Sequence, residues 1–272
     1  MLSQHERGRL RFFRRASDPP ARPRRPRRGV SLLPSLFTMG NMWCGYASIV
    51  YALRGEYETA APFIGIAYAL DALDGRIARM TGTESDFGLQ LDSLADVISF
   101  GIAPAVLSYA WGLSSLGRLG WAAGFMFVAC AAMRLARFNV QSASGGDKRY
   151  YVGMPSPAAA AVPAATVYLY PWGLFDYRAA LPALLMVLVP AVLMVSTIKY
   201  RSFKDLDLKS GRSFRVLVLI AAGIAAIWTH PRVVLIVAAY SYLASGLIGF
   251  AITRLRRGRA TDLTPPPAPP GA

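Results

Sequence analysis

The sequence predicts an all-α fold: a polytopic integral membrane helix bundle of about eight transmembrane helices, with both termini cytoplasmic. Three observations carry that reading. Of the 272 residues, 54% are hydrophobic, and apolar runs of about 20 residues recur, the length a helix needs to cross a hydrocarbon core. The runs are apolar on every face, as in LPALLMVLVPAVLMVSTI at 181–198, whereas helices of soluble proteins separate polar and apolar faces. The basic residues are also unevenly spread. With the N-terminus inside, 26 of the 30 Lys and Arg fall in cytoplasmic segments, and Arg54, Arg118, Arg178 and Arg232 fall outside. That is the positive-inside pattern that orients membrane helices.

The eight runs are roughly 33–53, 60–80, 87–111, 119–138, 156–173, 179–198, 214–229 and 232–252. A basic cytoplasmic segment, 1–30, precedes them and holds ten Arg. Its stretch RFFRRASDPPARPRRPRRG has no fold able to present bases, so the net charge of +15 reads as topology and attraction to anionic lipid, not nucleic-acid binding. No small-residue cleavage site closes the first run, so no signal peptide is expected. Residues 31–205 hold six membrane helices and form the expected core. Residues 206–255 add two more, and 256–272, ending in TPPPAPPGA, read as a disordered Pro-rich tail. Cys44 and Cys130 lie in apolar helices and imply neither a disulfide framework nor a cysteine metal site.

The second and third runs carry the chemistry. Asp71, Asp74, Asp92 and Asp96 stand in DALDGRIARMTGTESDFGLQLDSLADVISFG, within otherwise apolar helix. A carboxylate there is costly unless compensated, which makes it a functional-site candidate. Spacings of three and four keep each pair on one helix face. Folded antiparallel about MTGTES, with Gly82 as the breaker, Asp74 opposes Asp92 in a shallow layer and Asp71 opposes Asp96 in a deeper one. At about 1.5 Å per residue the layers lie roughly 13 and 19 Å from the turn, so the site opens near the cytoplasmic interface. Four like charges cannot satisfy one another. Two divalent cations, Mg²⁺ or Mn²⁺, are the natural partners and would clamp a diphosphate. Gly75 and Gly88 among the acids let a ligand approach the backbone, or serve helix packing. Arg79, one turn nearer the cytoplasm, reaches a phosphate or snorkels. A divalent-cation transporter is the alternative from another class, since intramembrane carboxylates also mark ion paths.

These residues spell D-x2-D-G-x2-A-R-x8-G-x3-D-x3-D without departure, from Asp71 to Asp96. The pattern resembles the signature of the CDP-alcohol phosphotransferases, in which an alcohol attacks the diphosphate of a CDP-linked lipid and displaces CMP. The resemblance implies that Asp71, Asp74, Asp92 and Asp96 ligate metal and that Asp96 also accepts the proton. It implies that Gly75, Arg79 and Gly88 line the site of the CDP-lipid. Ser85 stands where many members have a Thr and can hold a phosphate. In the first run, PSLFTMGN resembles the family's Pro-Asn-x-x-Thr-x-x-Arg stretch, with Pro34 and Thr38 matching, Ser35 in place of the Asn and Asn41 in place of the Arg.

Val97 follows the fourth Asp where the glycerol-phosphate branch usually has Lys. SLADVISFGIAP, RLARFNV, GMPSPAAA and YRSFK are similar to the membrane-embedded phosphatidylserine synthases. That branch implies CDP-diacylglycerol and L-serine as substrates, a likeness covering about residues 31–205, an inner-membrane location and a homodimer. Arg134 and Arg137, one turn apart on the cytoplasmic side, and Asn41 are candidates to bind the acceptor or a phosphate. Pro155 and Pro157 shape the start of the fifth helix. A sister enzyme using glycerol phosphate, inositol phosphate or choline is the nearer alternative. His5 and His230 are too far apart to form a base or ligand set, and no H-x-K pair offers the covalent phospholipase D-type route.

Overall fold

A computed structural model describes residues 32–81, 85–143, 150–201 and 213–261. The basic segment 1–30 and the tail beyond residue 261 lie outside the described residues. Helix α1 is Leu32–Leu53 and α2 is Tyr57–Thr81. The third apolar run forms α3 (Asp86–Val97), a π-helical turn (Ile98–Ile102) and α4 (Ala103–Trp111), followed by a 3₁₀ turn at Leu113–Leu116. Then come α5 (Arg118–Ala143), α6 (Ser156–Leu169) and α7 (Tyr177–Val195). The last two helices are α8 (Ser213–Thr229) and α9 (Pro231–Thr261). Among the described residues, each of the eight apolar runs has become helix.

Four of these stretches are long and apolar enough to cross a membrane: Phe87–Trp111, Arg118–Gln141, Tyr177–Val195 and Pro231–Phe250. Helix α6 is apolar but shorter. Its run was expected to reach residue 173, but the chain leaves the helix after Leu169 and turns through Pro171 and Gly173. Helix α9 continues to Thr261, past the expected boundary at 255. Large apolar side chains such as Trp121, Phe125, Leu185 and Val192 face outward, as a lipid-facing surface requires.

An exception to the all-helical expectation is a two-stranded antiparallel ribbon, β1 (Tyr150–Val152) with β2 (Lys199–Arg201). It ties the connection before α6 to the segment after α7. Gly153 follows β1 at φ +86, a left-handed conformation that suits glycine. Its N–H donates to the Ile198 carbonyl at 2.8 Å, and the Met154 N–H donates to the Leu193 carbonyl at 2.9 Å. The chain is thereby fixed against the end of α7 just before α6 begins. From β2, the buried Tyr200 ring stacks on Tyr242 of α9, with centroids 5.5 Å apart. Gly246 of α9 leaves the room that this ring fills. The last helix is therefore packed into the bundle.

Helix α1 is the hub. It packs on α2, α3, the π turn and α4, whereas α2 and α3 make almost no direct backbone contact. The approach to the π turn depends on Gly45. A Cβ there would stand 2.8 Å from Ser99 Cα, closer than packed atoms tolerate. Gly65 has open space around it. Gly45→Ala is therefore expected to cost about 1–3 kcal/mol, the range for overpacking, and to lower the thermal midpoint in detergent. Gly65→Ala is expected to leave it unchanged. Equal midpoints for the two variants would contradict this packing.

Candidate active site

The gap between α2 and α3 is where the acids meet. One carboxylate oxygen each from Asp71, Asp92 and Asp96 lies within 4.8 Å of the others. Asp74 takes a different partner. Three residues along a helix is about 60° short of a full turn, so Asp74 is rotated away from Asp71 and points to α1. There Thr38 Oγ1 donates to Asp74 Oδ2, and both side chains are buried. The two expected layers are thus a trio plus a neighbour. Asp92 joins Asp71 and Asp96 because α1 lies against both acidic helices and draws Asp74 to itself. Asp74 remains close enough for its charge to act on Asp71 and Asp92.

Asn41 lies one turn beyond Thr38 on α1 and is fully buried. Its Nδ2 donates to Asp96 Oδ1 at 3.3 Å, and its backbone carbonyl accepts from Ser99 Oγ at 2.9 Å. One face of α1 thus hydrogen-bonds one acid from α2 and one from α3. Pro34 belongs to the first turn of the same helix.

At the mouth, the Arg79 guanidinium lies over Gly75. A Cβ at Gly75 would stand 3.7 Å from both Nη1 and Nη2 of Arg79. The glycine keeps that surface low beneath an exposed cation, an arrangement open to a phosphate. Ser85 caps α3: its Oγ accepts from the Gly88 N–H at 3.1 Å. A Cβ at Gly88 would crowd that oxygen at 3.1 Å, so Gly88 serves the cap. A hydroxyl both accepts and donates, so the capping Ser85 hydroxyl can still donate to a ligand.

Arg134 and Arg137 separate. Arg134 is buried, with 9% of its surface exposed. Its Nη1 donates to Ser156 Oγ at 2.9 Å, and its guanidinium lies 5.5 Å from the centroid of the Phe138 ring. Its charge acts on Asp71 and Asp96. Arg137 Nη1 donates instead to the Val195 carbonyl at 3.3 Å, at the end of α7.

Sequence reasoning missed three polar partners. Ser99 holds Asn41, Ser93 accepts from Asn139 Nδ2 at 2.9 Å to join α3 to α5, and Ser156 holds Arg134. Ser and Asn within apolar runs were the available signal, since buried polar groups need partners.

The residues fit a divalent metal. Three oxygens converge within one coordination sphere's reach, a fourth carboxylate adjoins them, and all are hard ligands of the kind Mg²⁺ and Mn²⁺ prefer. Arg79 and Arg134 both act on Asp71, but two guanidinium groups do not balance four carboxylates.

The model of the CDP-alcohol phosphatidyltransferase family matches residues 31–203. The chain belongs to that family. It is a transferase of phospholipid biosynthesis, and the transporter alternative falls. The family's matched region includes every acid and arginine of this site, while α8 and α9 lie beyond it. The chain is similar to a Helicobacter pylori (strain ATCC 700392 / 26695) protein named CDP-diacylglycerol–serine O-phosphatidyltransferase. The two are 36% identical over 218 residues, 80% of this chain and 90% of the relative. A Bacillus subtilis (strain 168) protein of the same name is 34% identical over 188 residues, 67% of this chain and 99% of the relative. An archaetidylserine synthase of Methanothermobacter thermautotrophicus is 37% identical over 170 residues, 62% of this chain and 69% of the relative.

The Thr38–Asp74 bond yields a direct test. Losing a hydrogen bond to a charged group costs about 1.5–3 kcal/mol. Thr38→Ala is therefore expected to lower kcat/KM by roughly ten- to a hundredfold, and Thr38→Ser to restore most of it. Equal losses in the two variants would show that the methyl group, not the hydroxyl, matters.

Proposed function

We propose that this chain transfers the phosphatidyl group of CDP-diacylglycerol to the hydroxyl of L-serine, giving phosphatidylserine and CMP. The convergence of Asp71, Asp92 and Asp96 in the α2–α3 gap carries the transfer chemistry. The names of the relatives, together with Val97 and the phrases around Arg134, Ser156 and Tyr200, support serine as acceptor.

Asp71, Asp74, Asp92 and Asp96 would hold divalent cations, two per site. Bound there, they would neutralise the diphosphate and stabilise CMP as it leaves. Arg79 binds a phosphate of the CDP moiety above Gly75, with Ser85 on the same side. Thr38 keeps Asp74 turned towards α1, and Asn41 orients the Asp96 carboxylate. The serine hydroxyl loses its proton to Asp96, and its oxygen attacks the phosphorus nearer the lipid. A new P–O bond forms, the P–O bond to CMP breaks, and CMP departs with the electron pair. Proton acceptance and orientation lower the barrier by general-base catalysis and proximity.

The eight runs cross the inner membrane, both termini are cytoplasmic, and the site opens to the cytoplasm. Twenty-six of the 30 Lys and Arg support that orientation, and Arg76 and Arg79 stand on the same side as the mouth. The lipid's acyl chains stay in the bilayer while serine arrives from water. We carry a homodimer as part of this reading on family grounds.

The test is CMP release by the purified chain from CDP-diacylglycerol with a panel of alcohols. L-Serine is expected to release CMP far faster than glycerol 3-phosphate, inositol phosphate or choline, and excess chelator to abolish release. Faster release with another alcohol would move the chain to a sister branch. Full turnover in chelator would remove the metals from the reaction.

A further inference from the structure

Arg134 is a buried cation with a designed rest. Burying a guanidinium is costly unless it is paired and hydrogen-bonded. One of its partners, Ser156, is wholly buried and stands in the first turn of α6, directly after Pro155. Three features of one turn fix that serine. Pro155 holds an extended backbone at φ −59 and ψ 138. Gly153 makes its left-handed turn two residues earlier. Met154 donates to the Leu193 carbonyl at the end of α7, and Gly153 to the Ile198 carbonyl just beyond it. The hydroxyl is therefore a fixed acceptor, and the 2.9 Å bond from Arg134 Nη1 sets one edge of the guanidinium. Arg137, one turn away, shows the contrasting use, donating to the carbonyl of Val195.

The acceptor's chemistry explains why such a cation is needed. In a zwitterionic amino acid bearing a side-chain hydroxyl, three bonds separate that oxygen from the carboxylate carbon, a span of roughly 3–4 Å. Bringing the hydroxyl to Asp96 brings the carboxylate beside the acidic trio, which repels it. Arg134 lies on α5 between Ala131, which faces Gly101, and Asn139, which bonds Ser93, so it is a buried cation alongside the stretch that carries Asp96, and a planar guanidinium matches a carboxylate edge to edge. An ammonium could not reproduce that fork.

We propose that Ser156 is a positioning residue that aims the Arg134 guanidinium at the carboxylate of the amino-acid acceptor, and so makes the site select for one. The inference rests on the serine reading above. It goes further in assigning the carboxylate to Arg134 and the aim of Arg134 to Ser156, a residue that does not itself touch substrate.

The experiment measures KM for L-serine, KM for CDP-diacylglycerol, kcat and the thermal midpoint in the full chain, for wild type, Ser156→Ala and Arg134→Lys. Ser156→Ala removes one hydroxyl in place and is expected to raise KM for L-serine about tenfold, with KM for CDP-diacylglycerol and the midpoint unchanged and kcat within about threefold. Arg134→Lys is expected to raise it further. A serine KM within twofold of wild type in Ser156→Ala overturns the inference. So does a parallel rise in both KM values with a lowered midpoint, the mark of a merely structural serine. If the wild type turns over no L-serine, the acceptor reading fails and this inference fails with it. If it turns over L-serine and Ser156→Ala behaves as wild type, only this inference fails.

Discussion

Carboxylates held within 4.8 Å of one another inside an apolar bundle repel, and the rest of this molecule answers that repulsion. At an effective dielectric of about 20, two unit charges at such a separation repel by about 3 kcal/mol, and three acids make three such pairs. The sequence supplies partial compensation in three directions. Thr38 and Asn41 donate from α1, Arg134 acts from α5, and Arg79 lies at the mouth. None of these neutralises four acids. The remaining negative charge is what would make the gap a receptor for hard cations and, through them, for a diphosphate, as proposed above.

The bundle is arranged to keep that gap. Helices α2 and α3 do not close on one another because α1 lies against both, and α1 comes close enough only because position 45 is glycine. The π turn at Ile98–Ile102 sits opposite this glycine. Such turns recur at functional sites, and here it presents Ser99 to the carbonyl of Asn41. Behind the site, the β1–β2 ribbon and the turn at Gly153 fix the start of α6, and hence Ser156 and Arg134. Helix α9, outside the family's matched region, closes over the ribbon through Tyr200 and Gly246.

Much of this was readable from residues. Apolar runs of membrane length marked the helices, and four carboxylates in them could mean little other than a charged site. What stayed hidden was rotational and tertiary. Spacing put Asp71 and Asp74 on one face, but the 60° between them became decisive once α1 could claim Asp74, and no local pattern announces which helix wedges where. The third run reads as one uninterrupted helix because a π turn keeps its apolar character. Arg134 and Arg137 look equivalent in RLARFNV, and they diverge because one meets Ser156 and the other meets the end of α7. The ribbon escaped notice because three-residue strands lack a measurable alternation.

We propose above all that the carboxylate trio is a divalent-cation site serving the diphosphate. Equilibrium binding of Mn²⁺ to the purified full chain, followed by electron paramagnetic resonance, tests it most directly. Two Mn²⁺ per chain are expected with CDP-diacylglycerol present, and loss of at least one in Asp92→Asn with the fold intact. Undiminished Mn²⁺ binding by that variant, or none by the wild type, would contradict it.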